Sequence, residues 1–161
     1  MLFLLTASTL LIAAPKRKPI KAGEFVLIKN YGVGKVTSVT SVKNNTSDLL
    51  NVEIVFPEGV SSTGSPLVIN STDARLNRKV MKTTSGIKVD DVVVSDRKEG
   101  VELPNKFLAQ GVPGKVLMVF DNGMVLLDSG KGKVPALIIH PAALLKKDRK
   151  STRLNSSHGY I

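Results

Sequence analysis

The chain has 161 residues, enough for one medium domain or two small ones, and its hydrophobic fraction of 42% argues against gross disorder. It has no cysteine, which excludes disulfides, thiolate metal sites and cysteine nucleophiles, and only 4% aromatic residues, so any core has to be built from Val, Ile and Leu. The formal net charge of +10 points to a polyanionic partner such as RNA, DNA or an anionic membrane surface.

The first 22 residues are expected to form an apolar, leader-like segment followed by a basic linker. Residues 1–14 are apolar or small throughout, but the run is shorter than the roughly 20 residues that span a bilayer. A true leader would imply an organellar or secretory route; otherwise the protein is cytoplasmic. A mis-assigned start codon is a third interpretation, because no basic residue precedes the run. The basic arm that follows, a solvated tail or a set of phosphate contacts, contains Lys16, Arg17, Lys18 and Lys21.

Residues 23–80 are predicted to form a first small β-barrel. Stretches with strand character lie at 24–28, 35–39, 51–56 and 67–69, separated by a glycine turn at 30–34 and by polar loops. Within the third stretch, alternation places Val52, Ile54 and Phe56 on one face. Residues 71–76 predict a short helical turn, because Ser and Asp at its start are good cap residues.

The chain then repeats itself: residues 81–88 are predicted to be a linker and residues 89–147 a second barrel. DVVVS at 91–95 matches EFVLI at 24–28, and GVPGKV at 111–116 matches GVGKV at 32–36. Asn122-Gly123 predicts a two-residue hairpin turn, because this pair favours positive φ at both turn positions. The repeat indicates an all-β fold of two tandem small barrels, each with about five short strands and a terminal helical turn.

The repeated pattern resembles that of KOW-type and related SH3-like barrels, in which a turn glycine precedes a G-x-V strand and the last strand runs into a helical turn. The resemblance covers most of residues 23–147. It implies a binding module, because this barrel recurs in ribosomal proteins, transcription elongation factors, chromatin readers and peripheral photosynthetic subunits. The residues that carry it are Gly32, Gly34, Val36, Val39, Val52, Ile54, Val68 and Leu76, and then Gly111, Gly114, Val116, Val119, Val125, Leu127, Ile138 and Leu144.

The last segment, residues 148–161, resembles the translation of a short-read sequencing adapter. The string DRKSTRLNSSH at 148–158 follows the adapter codons in order, and a natural polar tail is the alternative interpretation. If the segment is an artefact, the native C-terminus is missing and the charge needs correction. Its three basic residues and Asp148 account for +2, which leaves +8, half of it in the N-terminal basic arm.

No catalytic, metal or cofactor site is predicted. His140 is the lone histidine outside the adapter-like segment, with no second ligand at metal-binding spacing. Asp90 and Asp91 are adjacent, so on a strand they would point to opposite faces and make a poor acid–base pair. The Gly-Lys motifs at 32–35 and 130–133 lack the spacing of a phosphate-binding loop, and no small-molecule substrate is expected.

The sequence therefore predicts a non-enzymatic binding module that docks on a larger assembly. The first hypothesis is association with RNA or a ribonucleoprotein through phosphate contacts at loop tips. The alternative is a protein-docking accessory subunit of an organellar or photosynthetic complex, which the apolar leader and the scarcity of stacking aromatic residues favour. Besides the basic arm, the residues expected to make the contacts are Lys29, Tyr31, Lys35, Lys43, Lys115, Lys131 and Lys133.

Overall fold

The computed structural model describes residues 18–42, 47–57, 66–96, 108–130 and 136–148. In these ranges the chain is nearly all β, with ten strands in two five-stranded antiparallel sheets. Each sheet has an apolar core of its own, so the predicted all-β fold of two tandem units is confirmed. We call the first sheet with its core the first unit, and the second sheet with its core the second unit.

The first unit has its strands in the spatial order β4-β3-β2-β1-β5. Its core is built from aliphatic side chains such as Val26, Val36 and Leu50, as the composition requires. Ile20, within the segment predicted to be a linker, packs into the same core. The strands are β1 (Phe25–Ile28), β2 (Gly32–Thr40), β3 (Leu49–Pro57), β4 (Leu67–Asn70) and β5 (Leu76–Arg78).

The second unit has its strands in the order β10-β6-β7-β8-β9. Read from the β9 edge, this is the same topology as that of the first unit. Its core includes Val93, Val116, Val125 and Leu127, and a one-turn 3-10 helix at Ala142–Leu144 precedes the last strand. The strands are β6 (Val92–Ser95), β7 (Pro113–Val119), β8 (Met124–Asp128), β9 (Leu137–Pro141) and β10 (Leu145–Lys147).

The two units share backbone and side-chain contacts at equivalent positions. In each, the amide of a core valine donates at 2.9 Å to the carbonyl of an acidic residue just before the first strand. The same acidic residue forms an ion pair with the last residue of the fifth strand. The residues are Val36, Glu24 and Arg78 in the first unit, and Val116, Asp91 and Lys147 in the second.

A β-bulge lies at the same place in both second strands. Thr37 in β2 and Leu117 in β7 are each skipped by the register, so that the valines on either side of the bulge both face the core. Val36 and Val116, the residues just before the two bulges, pair with Val52 and Leu127, so Leu127 is the equivalent of Val52 rather than of Ile54. The residue alignment expected from the repeat was therefore two positions out in this strand, because the two strands enter from loops of different length.

The helical turns are not terminal as predicted, because a fifth strand follows each and pairs with the first strand of its unit. In the first unit the expected helix at 71–76 is replaced by two consecutive turns, Asn70 to Asp73 and Asp73 to Leu76. The Asp73 carboxylate accepts a hydrogen bond from the Arg75 amide at 2.8 Å, and such local bonds compete with a helix.

The β7–β8 hairpin also differs from the prediction. Gly123 has a φ of +81°, but Asn122 is not among the residues with positive φ. The Gly123 amide donates to Phe120 O, and the Phe120 amide donates to Met124 O, which makes a three-residue loop with glycine in the left-handed position. Asn122 instead accepts from the Met124 amide through its side-chain oxygen.

A third apolar cluster joins the two units. Leu27 and Val33 of the first unit and Phe120 and Leu126 of the second are buried together in it. Phe56 packs against this shared cluster rather than on the face of Val52 and Ile54, because the register of β3 skips Val55 and turns the following residue over. The prediction that all three residues share one face was therefore wrong for Phe56.

Backbone hydrogen bonds reinforce the shared cluster. The chain leaving β5 pairs with the end of β7 through a bridge between Lys79 and Phe120. The Val80 amide donates to Val119 O at 2.8 Å, and the Asp121 amide donates to Arg78 O at 2.9 Å. The two units are therefore held together by sheet-type pairing as well as by apolar burial.

Candidate nucleic-acid interface

The segment between the two sheets, residues 81–88, is a tight hairpin that we call the connector. Lys82 and Lys88 face each other across it in an antiparallel bridge. Ile87 is buried in the core of the second unit, and its amide donates to the Thr83 hydroxyl at 3.0 Å. Thr83 is itself buried, and its amide donates back to Ile87 O at 2.8 Å. The connector is thus an ordered part of the second unit.

Three lysines project from this region: Lys79, Lys82 and Lys88 are all exposed. Among the described residues none of them has a carboxylate within ion-pair distance. The bridge holds Lys82 and Lys88 directly opposite each other, an arrangement in which like charges repel. An anion placed between them would relieve that repulsion.

A groove of about 800 Å³ lies beside the connector, and we call it the connector groove. Its floor is apolar, with Phe25, Val80 and Val89 partly buried and Met81 standing 89% exposed. Glu24 and Arg78, at one wall, are ion-paired with each other at 3.3 Å. The full lining consists of Gly23, Glu24, Phe25, Arg78, Lys79, Val80, Met81, Lys88 and Val89.

Of the nine other described basic residues, five are paired with carboxylates, and Lys18, Lys21, Lys29 and Lys35 have no ion pair with a described residue. Lys115 pairs with Asp90 at 2.9 Å, and Lys146 pairs with Asp96 at 2.6 Å. The described residues hold twelve Lys and Arg against ten Asp and Glu, so most of the positive surplus of the chain lies outside them. Within the described part, the lysines of the connector are therefore a local concentration of positive charge on a nearly neutral body.

Of the three described lysines that were expected at loop tips, one lies in a turn and two lie in strands. Lys29 is exposed in the turn between β1 and β2, as expected. Lys35 and Lys115 instead occupy equivalent positions inside β2 and β7. Lys35 lies directly across the β1–β2 ladder from Phe25, but it is not one of the residues that line the connector groove.

The remaining residues of the predicted basic site divide in two. Lys18 and Lys21 are exposed on the segment that leads into the first unit. Five others lie outside the described residues, so their role stays a prediction: Lys16, Arg17, Lys43, Lys131 and Lys133.

Tyr31 is less accessible than a stacking platform requires. The ring is half-buried against the core of the first unit, and the Arg75 guanidinium lies 6.0 Å from the ring centroid. The sequence placed this residue in an exposed loop. Because the turn at its N-terminal side is tight, with Tyr31 N donating to Ile28 O at 3.0 Å, the ring folds back onto the sheet.

A second cleft, of about 750 Å³, lies on the other side of Arg78 and is acidic. Asp48, Asp73 and Asp121 line it, against Lys18 and Arg78. The Arg75 side chain donates to both oxygens of Asp73, and together with the Arg75 amide it lowers the pKa of that carboxyl to about 2. Arg75 compensates the charge of Asp73, but Asp48 and Asp121 add two further carboxylates to the lining, which disfavours phosphate in this cleft.

His140 lies in the interior of the second unit rather than at an accessible site. It is completely buried and pairs across the β8–β9 ladder with Val125, as Ile69 pairs with Leu50 in the first unit. Its Nδ1 lies 2.8 Å from Pro141 O. Within the described ranges, no three His, Asp or Glu side chains gather in a way that would hold a metal ion, and no helix is long and apolar enough to cross a membrane.

Sequence reasoning did not select Lys79, at the end of the predicted first barrel, or Lys82 and Lys88, because residues 81–88 were interpreted as a linker. A usable signal was present: residues 74–89 contain five Lys and Arg and no Asp or Glu.

Comparison with known proteins assigns no family to the chain. No family model matches it, and no similar curated protein or solved structure is found.

Proposed function

We propose that the chain is a non-enzymatic binding protein of two SH3-like, KOW-type barrels that associates with RNA or a ribonucleoprotein through the connector groove. The barrel assignment is supported by the identical strand order of the two sheets and by the 3-10 turn before β10. The observation that carries the binding proposal is the set of three exposed lysines, Lys79, Lys82 and Lys88, that lack a carboxylate partner among the described residues.

The physical argument is one of charge and rigidity. Phosphate oxygens would bridge lysines that otherwise repel each other, and binding would release counterions from the nucleic acid. The connector is fixed by the buried Ile87 and by the Thr83 hydrogen bonds, so little ordering cost falls on the lysine backbone when a ligand binds. Lys35, the ladder partner of Phe25, adds an exposed positive charge on the same face of the first sheet.

The test is a salt titration of RNA binding with two matched triple variants. Replacing Lys79, Lys82 and Lys88 with alanine should weaken binding and reduce the slope of log K against log salt by about 2, since each lost contact with a single strand contributes roughly 0.7. The control replaces Lys115, Lys146 and Lys147 with alanine, which removes the same charge from lysines that already pair with carboxylates. Equal losses in both variants, or binding that ignores salt, would contradict the proposal.

A second candidate, a protein-docking accessory subunit, is favoured by one observation. Met81 exposes 89% of its surface next to apolar Phe25 and Val80, as a contact surface for a protein would. This candidate expects co-purification with a defined protein complex that survives nuclease treatment. Loss of the complex on nuclease treatment would leave the RNA proposal standing alone.

We also propose that residues 148–161 are the translation of a sequencing adapter. Asp148 is described, and its amide donates to Val92 O at 2.9 Å, whereas residues 149–161 lie outside the described residues. The nucleotide sequence that encodes the segment tests the origin directly, because adapter-derived codons would continue into the constant part of the adapter.

A further inference from the structure

We infer that the connector groove takes unpaired nucleotides in preference to a duplex, an inference that rests on the proposed RNA association. It starts from the make-up of the groove, where apolar side chains lie beside lysines. Phe25, Val80 and Met81 are apolar lining residues, and Lys79 and Lys88 line the same groove.

A duplex cannot use such a floor. Its bases are paired and stacked on one another, so their faces are covered, and it offers phosphates, sugars and base edges to a protein surface. Unpaired nucleotides expose the flat faces of their bases while the phosphates stay within reach of lysines. If the groove bound only phosphates, the exposed methionine would add no binding free energy, because its side chain would stay surrounded by water in the complex as in the free protein.

Met81 is the residue that makes the distinction. Its side chain is flexible and polarisable, and thioethers pack favourably against aromatic rings. It stands almost fully exposed between Val80 and Lys82, so a base lying on it would bury apolar surface without any rearrangement of the fold. Phe25, which also lines the groove, is partly buried and packs against the shared cluster, so it adds apolar surface to the groove and Met81 is the accessible contact.

The inference predicts weak dependence on base identity. The one carboxylate of the groove, Glu24, is already ion-paired with Arg78. Packing of a base on Met81 accepts any base, because every base has a π-face. We therefore expect single-stranded RNA of mixed sequence to bind with similar affinity whatever its order of bases.

The experiment measures binding of the full chain to a labelled 12-nucleotide single strand and to the duplex made from it, at one salt concentration. We expect the single strand to bind about tenfold more tightly. Met81→Ser should weaken single-strand binding roughly five- to tenfold, the loss of about one stacked base, and leave duplex binding and the salt slope unchanged. Val68→Ser, which alters an exposed valine on the outer face of the first sheet, is the matched control and should change neither.

The outcomes separate the inference from the function on which it rests. Equal affinity for both RNAs, or an unchanged Met81→Ser variant, overturns the preference for unpaired nucleotides and leaves RNA association intact. No binding of either RNA overturns both. Binding of a Leu- and Glu-rich peptide that Met81→Ser abolishes, together with no RNA binding, would assign the groove to a protein partner instead.

Discussion

Gly34 and Gly114 hold the same position in the two units, just before the lysine and the core valine of the second strand, but they have different surroundings. A Cβ built on Gly34 would overlap Val52 Cγ1 and approach Glu53 O to 3.1 Å. A Cβ on Gly114 would meet the nearest atoms, those of the Leu108 side chain, at 3.4 Å or more, which is ordinary contact. The glycine is therefore required by packing in the first unit alone.

This difference gives a prediction at the level of a single residue. Gly34→Ala should lower the free energy of unfolding by about 1–3 kcal/mol, because backbone and side chain have to shift to admit the methyl group. Gly114→Ala should have a clearly smaller effect, since space for the methyl group exists. Urea unfolding of the two variants, followed by circular dichroism, measures both values, and equal destabilisation would show that the close approach at Gly34 is wrong.

At the level of elements, the connector depends on one side-chain hydrogen bond. The Thr83 hydroxyl accepts from the buried amide of Ile87 at 3.0 Å and lies 2.8 Å from the Ser85 hydroxyl. Valine has nearly the same shape as threonine but no hydroxyl. Thr83→Val should therefore leave the Ile87 N–H unpaired and lower the free energy of unfolding by about 1–3 kcal/mol.

The measurement is hydrogen exchange of the Ile87 amide, together with overall stability. We expect faster exchange in Thr83→Val and near-native protection in Thr83→Ser, which keeps the hydroxyl. Thr84→Ala, at the exposed neighbouring position, is the control and should leave the amide protected. Native protection in Thr83→Val would mean that the connector is ordered by the burial of Ile87 alone.

The strands β1, β3, β4 and β6 could be predicted from their apolar or alternating residues, and the three-residue strands could not. β3 has nine residues, enough to show the period of two. The fifth strands have three residues each, too few for a period, and their pairing with β1 and β6 is a contact between distant parts of the chain. The bulge at Val55 reversed the face of Phe56, because alternation assumes an unbroken register.

The sequence led to the hypothesis of a basic binding surface but not to the position that we propose for it. Net charge indicated a polyanion, and Lys29 and Lys35 were found at exposed positions. The local basic surface, however, depends on which lysines lack carboxylate neighbours, and that is decided by pairs across strands such as Lys115 with Asp90. The groove itself forms where the chain between the two sheets packs on both units, which no local pattern in the sequence encodes.

At the level of the whole molecule, the two repeated units pack head-to-tail and bury different surfaces. The second unit contributes the outer face of β7, β8 and β9, where Met118, Leu126 and Ile139 are apolar. The equivalent residues of the first unit are Ser38, Asn51 and Val68. Asn51 donates to the Ser38 hydroxyl at 2.7 Å, and Val68 is 58% exposed. This asymmetry specifies one pairing between the units, because the corresponding face of the first unit is too polar to act in the same way.

The head-to-tail interface predicts that the units unfold together. Leu126→Asn places in the second unit the residue that the first unit has at the equivalent position. The variant should lose about 2–5 kcal/mol of unfolding free energy, since a buried leucine is lost and an amide takes its place. Hydrogen exchange of the Val36 and Val116 amides, which lie in the cores of separate units, reports on each unit, and we expect both to lose the same protection.

Protection of the Val36 amide decides whether the units unfold together, because this amide belongs to the unit that carries no substitution. Val68→Asn, on the solvent-facing counterpart of the interface, should change protection at either amide by less than about 0.5 kcal/mol. If Leu126→Asn weakens protection at Val116 and leaves it unchanged at Val36, the units are independent, and the groove between them is not a fixed surface. If both fall together, the shared cluster and the pairing of Lys79 with Phe120 make one cooperative molecule, and the lysines of the connector are held in place by both cores.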